Sequence, residues 1–341
     1  MKSPKFAKWI KESKMKQLVY ITSSGHSGST LLDRLLGVHK DIFATGEIHR
    51  FSLGLHRDEL PFRCDCGEAV PYCSFWQEVI QRLQSQYPSS DTDWSEQFQT
   101  TDHSVLKMES GEKYLNAHIR YNFLPTDIGK YVTTLVPESL IGAAKALGLT
   151  GAYLGYGENS HKLFAAISDI SGQSTILDST KNSVRMRSLY LTSPVPMKII
   201  YLRRNGRAVA NSRMKRTDAN METAAKIWVM ENRKIQMTLK RMKNANILTV
   251  DYEGLCKNPK EEIARILDFL DLSSTANTQT ETSIRHAIGG NPSRFNSLKI
   301  KLDEVWKTAL TPAQIQTFAS IAGSFEDRYM KPIDGGAFRW T

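Results

Sequence analysis

The chain has 341 residues, with 45 Lys and Arg against 35 Asp and Glu, a formal net charge of +10 and a pI near 9.3. That length buries a sizeable core and suits one large α/β domain with an elaborated insertion. The positive excess points to an anionic ligand, acceptor or surface, and with no zinc-finger, RNA-recognition or basic-region pattern present, nucleic acid is not the expected partner. No run of about 18 apolar residues occurs and the N-terminus lacks the apolar core of a signal peptide, which predicts a soluble, cytoplasmic protein.

Residues 1–16 are a basic tail in which Lys2, Lys5, Lys8, Lys11, Lys14 and Lys16 surround Phe6, Trp9 and Ile10. That pattern suits a weak contact with an anionic lipid surface or a solvated terminus. Leu18 to Ile21 is a short apolar run fit for a strand buried on both faces of a parallel sheet. Ser23, Ser24, Gly25, Ser27 and Gly28 are small enough to turn backbone N–H groups toward an anion, and Leu31, Leu32, Leu35 and Leu36 then recur at helical spacing until Gly37. A phosphate or sulfate belongs at that helix N-terminus, the alternative being a Gly/Ser turn with no ligand. A nucleoside-triphosphate P-loop places Lys before its Ser/Thr, whereas here Gly28 is followed by Ser29 and Thr30. Gly46 and Glu47 come shortly after the helix.

In RCDCGEAVPYC, Cys64, Cys66 and Cys73 offer three thiols. They suit zinc if His56, His49 or another residue is the fourth ligand, and a local disulfide or reduced thiols that pack the loop compete with it. Cys256 stands apart as a core residue. Residues 77–110 turn polar and read as a surface excursion, and residues 111–170 read as mixed and helical. The stretch from about 52 to 172 therefore forms an insertion between the halves of the sheet, where α/β enzymes place substrate-recognition elements.

Further strands are expected at Thr175–Leu177, ending in Asp178, Ser179, Thr180 and Lys181, at Lys198–Leu202, and at Asn246–Val250. Arg203, Arg204 and Arg207 open a helix from Ala208 to about Arg216, on which Ser212 and Arg216 share a face. With Arg204 at the strand end, two cations and a hydroxyl converge, and that is what a dianionic phosphate requires. Glu222 to Lys243 reads as an amphipathic helix, Asn258 and Pro259 cap another, SSTANTQTETS looks like a hinge, and Thr311 and Pro312 start the last helix, to about Tyr329. The turn RHAIGGNPSRF is a second candidate anion loop.

With these pieces assembled, the chain resembles the sulfotransferases that use 3′-phosphoadenosine 5′-phosphosulfate (PAPS). SSGHSGSTLL is similar to the family's 5′-phosphosulfate loop, IIYLRRNGRAVANSRMKR to its 3′-phosphate strand and helix, and RHAIGGNPSRF to its late lid, in family order. The resemblance implies an α/β fold with a central parallel sheet flanked by helices, a P-loop-like 5′-phosphosulfate loop and an inserted, mostly helical acceptor-binding region, all within one domain of residues 17–341. It implies that Gly25, His26, Ser27, Gly28, Ser29, Thr30 and Leu31 wrap the phosphosulfate, and that Arg204, Ser212 and Arg216 take the 3′-phosphate. Tyr252 holds the place of the family's YE-x-L tyrosine near the nucleotide, Gly289, Gly290 and Arg294 fall in the lid, and Lys181 sits beside the cofactor.

Where many members carry Lys or Arg to stabilise charge on the bridging oxygen, this chain has His26. The Gly46-Glu47 pair resembles the general base of tyrosylprotein-type members. The implied reaction moves the sulfuryl group of PAPS to a hydroxyl or amine of a small metabolite or glycan, with no metal required, releasing adenosine 3′,5′-bisphosphate. Two alternatives are a kinase-like P-loop enzyme and a non-catalytic nucleotide- or polyanion-binding module. If Glu47 is not the base, His49, His56, His103 and His118 are next in line.

Overall fold

The computed structural model describes residues 8–9, 12–55, 62–86, 98–100, 128–273 and 285–331. The apolar runs become five parallel strands: β1 (Gln17–Thr22), β2 (Ile42–Ala44), β3 (Thr175–Lys181), β4 (Met197–Arg203) and β5 (Asn246–Asp251). They pair in the order β2-β3-β1-β4-β5. Because successive strand residues point to opposite faces, Leu18 and Tyr20 join one core while Val19 and Ile21 join the other, and β4 divides in the same way, Ile199 and Tyr201 against Ile200 and Leu202. Both faces are therefore apolar and both are covered, as parallel sheets require.

Helices α1 (Ser29–Leu36) and α7 (Pro259–Phe269) cover the face of Val19 and Ile21. The opposite face carries α2 (Ser74–Gln86), α3 (Tyr153–Ser171), α4 (Ser183–Thr192), α6 (Met221–Lys240) and α8 (Pro312–Tyr329), with α5 (Gly206–Met214) leading from β4 to α6. Trp76 and Trp228 are its largest fully buried side chains. The start of α8 is fixed by a reciprocal cap between Thr311 and Gln314.

Several boundaries differ from the sequence reading. Strand β2 was not expected, because three residues are too few to show a period; it exists because Phe43 pairs with Ile176 on β3. The polar stretch after residue 77 begins as helix α2, whose Trp76, Val79 and Leu83 are buried. Helix α5 starts at Gly206, where the Asn205 side chain accepts from the N–H groups of Arg207 and Ala208, and it ends at Met214, so Arg216 lies in the following turn. Asn258 is at the N-cap of α7 but makes no side-chain cap. Between β2 and β3 the described chain is mostly helical, adding Ile128–Leu135 and Glu138–Ala146 to α2 and α3, with a bridged turn at residues 63–69. Trp9 of the basic tail is buried, its indole N–H donating to Asp169 at 3.3 Å. Most of that tail, His56, His103, His118 and the hinge beyond Ser273 lie outside the described residues.

One irregularity positions the site. The register between β1 and β3 slips between Tyr20 and Thr22, so that Tyr20 faces Asp178 but Thr22 faces Lys181, a bulge that re-aims the end of β3. Asp178 is fully buried there and holds Arg185 of α4 at 2.9 Å, and Arg185 also donates to Thr100 O and Ser160 Oγ. Asp178→Asn strands a buried guanidinium, and we expect it to lower stability by about 3–5 kcal/mol in urea unfolding. The exposed Lys226–Glu222 pair is the control, and Glu222→Gln should leave the unfolding midpoint unchanged.

Candidate active site

All five strands run the same way, so the loops after them gather at one edge of the sheet. Central β1 lies between β3 and β4, which is the switch point where open α/β sheets bind ligands. There a cleft of about 1020 Å³ is lined by Gly25, His26, Gly28, Ser29, Thr30, Leu31, Glu47, Lys181, Arg204, Ser212, Arg216, Tyr252 and Gly290. Three of the expected residues stand off its wall: Ser27, whose hydroxyl pairs with Ser24 at 2.8 Å, Gly289 and Arg294.

The loop after β1 is shaped by Gly28, at φ +92° and N-capping α1. A Cβ there would come within 2.5 Å of the Tyr252 ring, so Gly28 meets both a left-handed backbone and a close approach. The helix has no side-chain cap, and the N–H groups of its first residues, Ser29, Thr30 and Leu31, have no acceptor within the helix. Together with the dipole they make an anion-binding end. Behind the loop, Glu231 accepts from the Gly25 N–H at 3.2 Å and from Arg213 at 2.8 Å.

At the other end, Arg204 is 5% exposed and lies over Tyr252 with its guanidinium carbon 4.2 Å from the ring centroid. It donates to His26 O and to Asp303, both at 2.9 Å, while its buried Nε has no partner among the described residues. Ser212 and Arg216 share this wall. A buried N–H without an acceptor is a gap that an incoming phosphate oxygen fills.

Between the two ends sits Glu47. Its carboxylate meets Lys181 at 2.5 Å and Arg50 at 3.0 Å. Burial alone would push the carboxyl up, but Lys181 first, then Arg50 and His49, outweigh it and hold Glu47 far below the ordinary carboxylate range. Gly46, at φ +70°, lets the chain lie against Ile288, where a Cβ would come 2.5 Å from the Ile288 carbonyl; Glu47 N–H donates to that carbonyl at 2.6 Å. His26 and Lys181 are both non-glycine residues in the left-handed region, at φ 63° and 72°, and both face the cleft. Such strain clusters where function demands a particular side-chain direction. Burial, then Arg213 and Arg216, lowers His26 to about 4, so its ring is neutral at physiological pH in the free protein.

The late loop closes one side. Gly290 lines the cleft and Asn291 N–H points at Thr30 Oγ1 at 3.5 Å. Arg294 does not reach in; it donates to Gly289 O at 2.7 Å and to Arg63 O at 2.8 Å and pairs with Asp65 at 3.0 Å, bracing the loop from behind. Sequence reasoning missed Arg50, Asp303, Lys299 and Lys301, all of which line the cleft. The cationic run KIK after the late loop was a signal for two of them, and the three-residue spacing from Glu47 was one for Arg50. Fallback base His49 is half-buried beside Thr180 Oγ1 at 3.3 Å, away from the cleft wall.

The model of a family described as "Sulfotransferase family" matches residues 19–276. Among solved structures, the sulfotransferase domain of the olefin synthase from Synechococcus PCC 7002 is similar at 18% identity over 93% of this chain and 96% of that one, with a TM-score of 0.48. The sulfotransferase domain from the curacin biosynthetic pathway follows at 17% identity, 90% and 98% coverage and 0.43. Sulfotransferase STF9 from Mycobacterium avium stands at 12%, 96% and 80%, and 0.45. No curated protein matches the chain.

The pairing at Glu47 makes a direct prediction. Lys181→Met removes the largest opposing cation and leaves the burial, so the Glu47 carboxyl should titrate higher than in the parent, read by carbon NMR of the labelled carboxylate. A Glu47 titration unmoved by the substitution would place the controlling charge elsewhere.

Proposed function

Because the chain belongs to the sulfotransferase family, we propose that it takes its sulfuryl group from PAPS and delivers it to a hydroxyl or amine of a small metabolite or glycan. The observation that carries this reading is one cleft with two separate anion-binding ends, the uncapped start of α1 and the Arg204–Ser212–Arg216 wall. That pairing suits a nucleotide with a charged group on both its 5′ and 3′ positions. A kinase-like reading needs a loop lysine and free carboxylates for Mg²⁺, but Ser29 and Thr30 follow Gly28, and both acidic residues lining the cleft, Glu47 and Asp303, are engaged by cations.

The donor supplies an activated sulfuryl group on a phosphate leaving group. The chain supplies position and charge. The first-turn N–H groups of α1 and the hydroxyls of Ser29 and Thr30 hold the 5′ anion, and Arg204 turns its unpartnered Nε to the 3′ anion. Lys181 has two uses: it clamps Glu47 in the free protein, and an anion in the loop draws its ammonium away. With Lys181 withdrawn, the buried Glu47 becomes more basic and accepts the proton of the attacking group. Base activation thus follows donor binding. His26, neutral beforehand, takes up a proton as the anion arrives and then donates to the developing charge on the leaving oxygen.

Three measurements test this. The parent should bind adenosine 3′,5′-bisphosphate more tightly than adenosine 5′-monophosphate, without Mg²⁺, and Arg204→Ala or Ser212→Ala should close that gap, the loss for Arg204 being about 1.5–3 kcal/mol. Equal affinity of the parent for the two nucleotides would rule out a 3′-phosphate site. Glu47→Gln should lower turnover by roughly 10² to 10⁴ with nucleotide affinity little changed; normal turnover would move the base elsewhere. Because His26 sits at about 4 when free and rises when an anion is bound, nucleotide binding should take up protons and tighten as pH falls from about 6.5 toward 4. Calorimetry in buffers of different ionisation enthalpy reads this, and His26→Gln should abolish the uptake.

A further inference from the structure

The sequence placed three thiols near one another and left their partner open. In the fold, Cys64, Cys66 and Cys73 meet His286, and the four ligand atoms lie within 4.8 Å of one another. His286 Nδ1 is 3.4 Å from Cys64 Sγ and 3.3 Å from Cys73 Sγ, and the sulfurs of Cys66 and Cys64 are 3.6 and 3.7 Å from that of Cys73. A disulfide needs about 2.05 Å, so none of these pairs is bonded, and all four cysteines of the chain are free. A tetrahedral zinc with bonds of about 2.3 Å to sulfur and about 2.05 Å to nitrogen separates its sulfurs by about 3.8 Å and sulfur from nitrogen by about 3.6 Å. Four of the six edges, at 3.3–3.7 Å, are those of that tetrahedron slightly contracted, and the other two are no longer than 4.8 Å.

The surroundings hold these atoms in place. Cys64 and Cys73 are buried. Phe75 stacks on the His286 ring at 4.7 Å and 12°, and Phe43 of β2 stacks on Phe75 at 5.0 Å, which fixes the imidazole with Nδ1 toward the sulfurs. His49, one of the partners considered from the sequence, is not in the cluster, and His56, the other, lies outside the described residues. Three thiolates and one imidazole form a soft donor set that selects Zn²⁺ over Mg²⁺ or Ca²⁺.

We propose that Cys64, Cys66, Cys73 and His286 bind one structural Zn²⁺ that ties the start of the insertion to the late loop over the donor cleft. The two halves of the centre come from opposite ends of the chain, 213 residues apart between Cys73 and His286. The Cys64–Cys66 turn and the residue before α2 supply the thiols. His286 stands just before Ile288, which bridges to both Cys64 and Gly46, and before Gly290 on the cleft wall. All four positions are filled by protein, so the centre has no open site for chemistry, and it is independent of which donor the cleft takes.

The test starts with the intact parent protein, purified without chelator, and reads metal by atomic emission and thiols by titration after denaturation. One equivalent of zinc per chain, S₃N coordination by X-ray absorption, and a thiolate-to-cobalt charge-transfer band on Co²⁺ replacement are expected. Chelation should lower the melting temperature by roughly 5 °C or more, with recovery on added Zn²⁺ but not Mg²⁺. His286→Cys should keep the metal, and Cys73→Ser should lose it. Protein that carries no zinc and takes up none when fully reduced overturns the proposal, as does a titration of only two free thiols in the metal-free parent as isolated.

Discussion

The arrangement depends on a helix that begins without a cap. At the start of α1 the side chain at the N-cap is a hydrogen atom, because Gly28 must pass beneath Tyr252, so the open N–H groups find no acceptor within the helix or from a capping side chain. That deficit sets what belongs in the cleft, an anion, and much of the surrounding charge follows from it. Arg204, Arg216, Lys181, Arg50 and the lysines at 299 and 301 all line one cleft. Such a concentration of cations holds together without a ligand because acidic partners are interleaved: Glu47 between Lys181 and Arg50, Asp303 against Arg204, Glu231 against Arg213. The free protein therefore carries internal counter-ions within the cleft, and under the proposed function binding would be an exchange of one set of anions for another.

Such an exchange would account for why Glu47, the base of the proposed reaction, is poorly able to accept a proton in the free protein. Burial favours a neutral Glu47 and its cations favour a charged one, and the cations win. A half-buried carboxylate whose ionisation is set largely by one neighbouring ammonium would respond to charge arriving nearby far more than a solvent-exposed one. The bulge in β3 and the left-handed backbone at Lys181 give that ammonium its direction, so the ionisation of Glu47 depends on strand geometry as much as on side-chain chemistry.

Much of this was legible in the sequence, for a physical reason. Buried parallel strands are short apolar runs, and loops that touch phosphate are small and polar, so β1, β3, β4, β5 and the Gly28 loop announce themselves locally. What stayed hidden depends on long-range pairing. Strand β2 is too short to have a period and exists only through its partner. Arg216 was placed on a helix that ends before it, yet it still reaches the cleft from the turn. Arg294 was read as facing the ligand because its loop does, but its guanidinium is claimed by Asp65 and two carbonyls. His286 could not be joined to three cysteines more than 200 residues away by any spacing rule.

The contacts of Ile288 divide the wall of the cleft into two parts with different freedom. Its N–H donates to Thr45 O and its carbonyl accepts from Glu47, so residues 286–290 are sewn to the end of β2 like an added rung, and they cannot swing outward without unmaking the backbone that carries Glu47. Residues 297–304, on the outer side, have no regular secondary structure and are pinned by isolated contacts: Arg34 to Asn296 O, Tyr252 to Lys301 O, and Arg204 to Asp303. One jaw is thus held by backbone pairing and the other by side-chain contacts, with Leu302 packed against the core, so the two differ in what opening each would unmake. Amide exchange would read the two as separate opening units. Under the proposed reaction, a nucleotide leaving by the outer jaw would depart without disturbing Glu47, so turnover would not have to rebuild that geometry in every cycle.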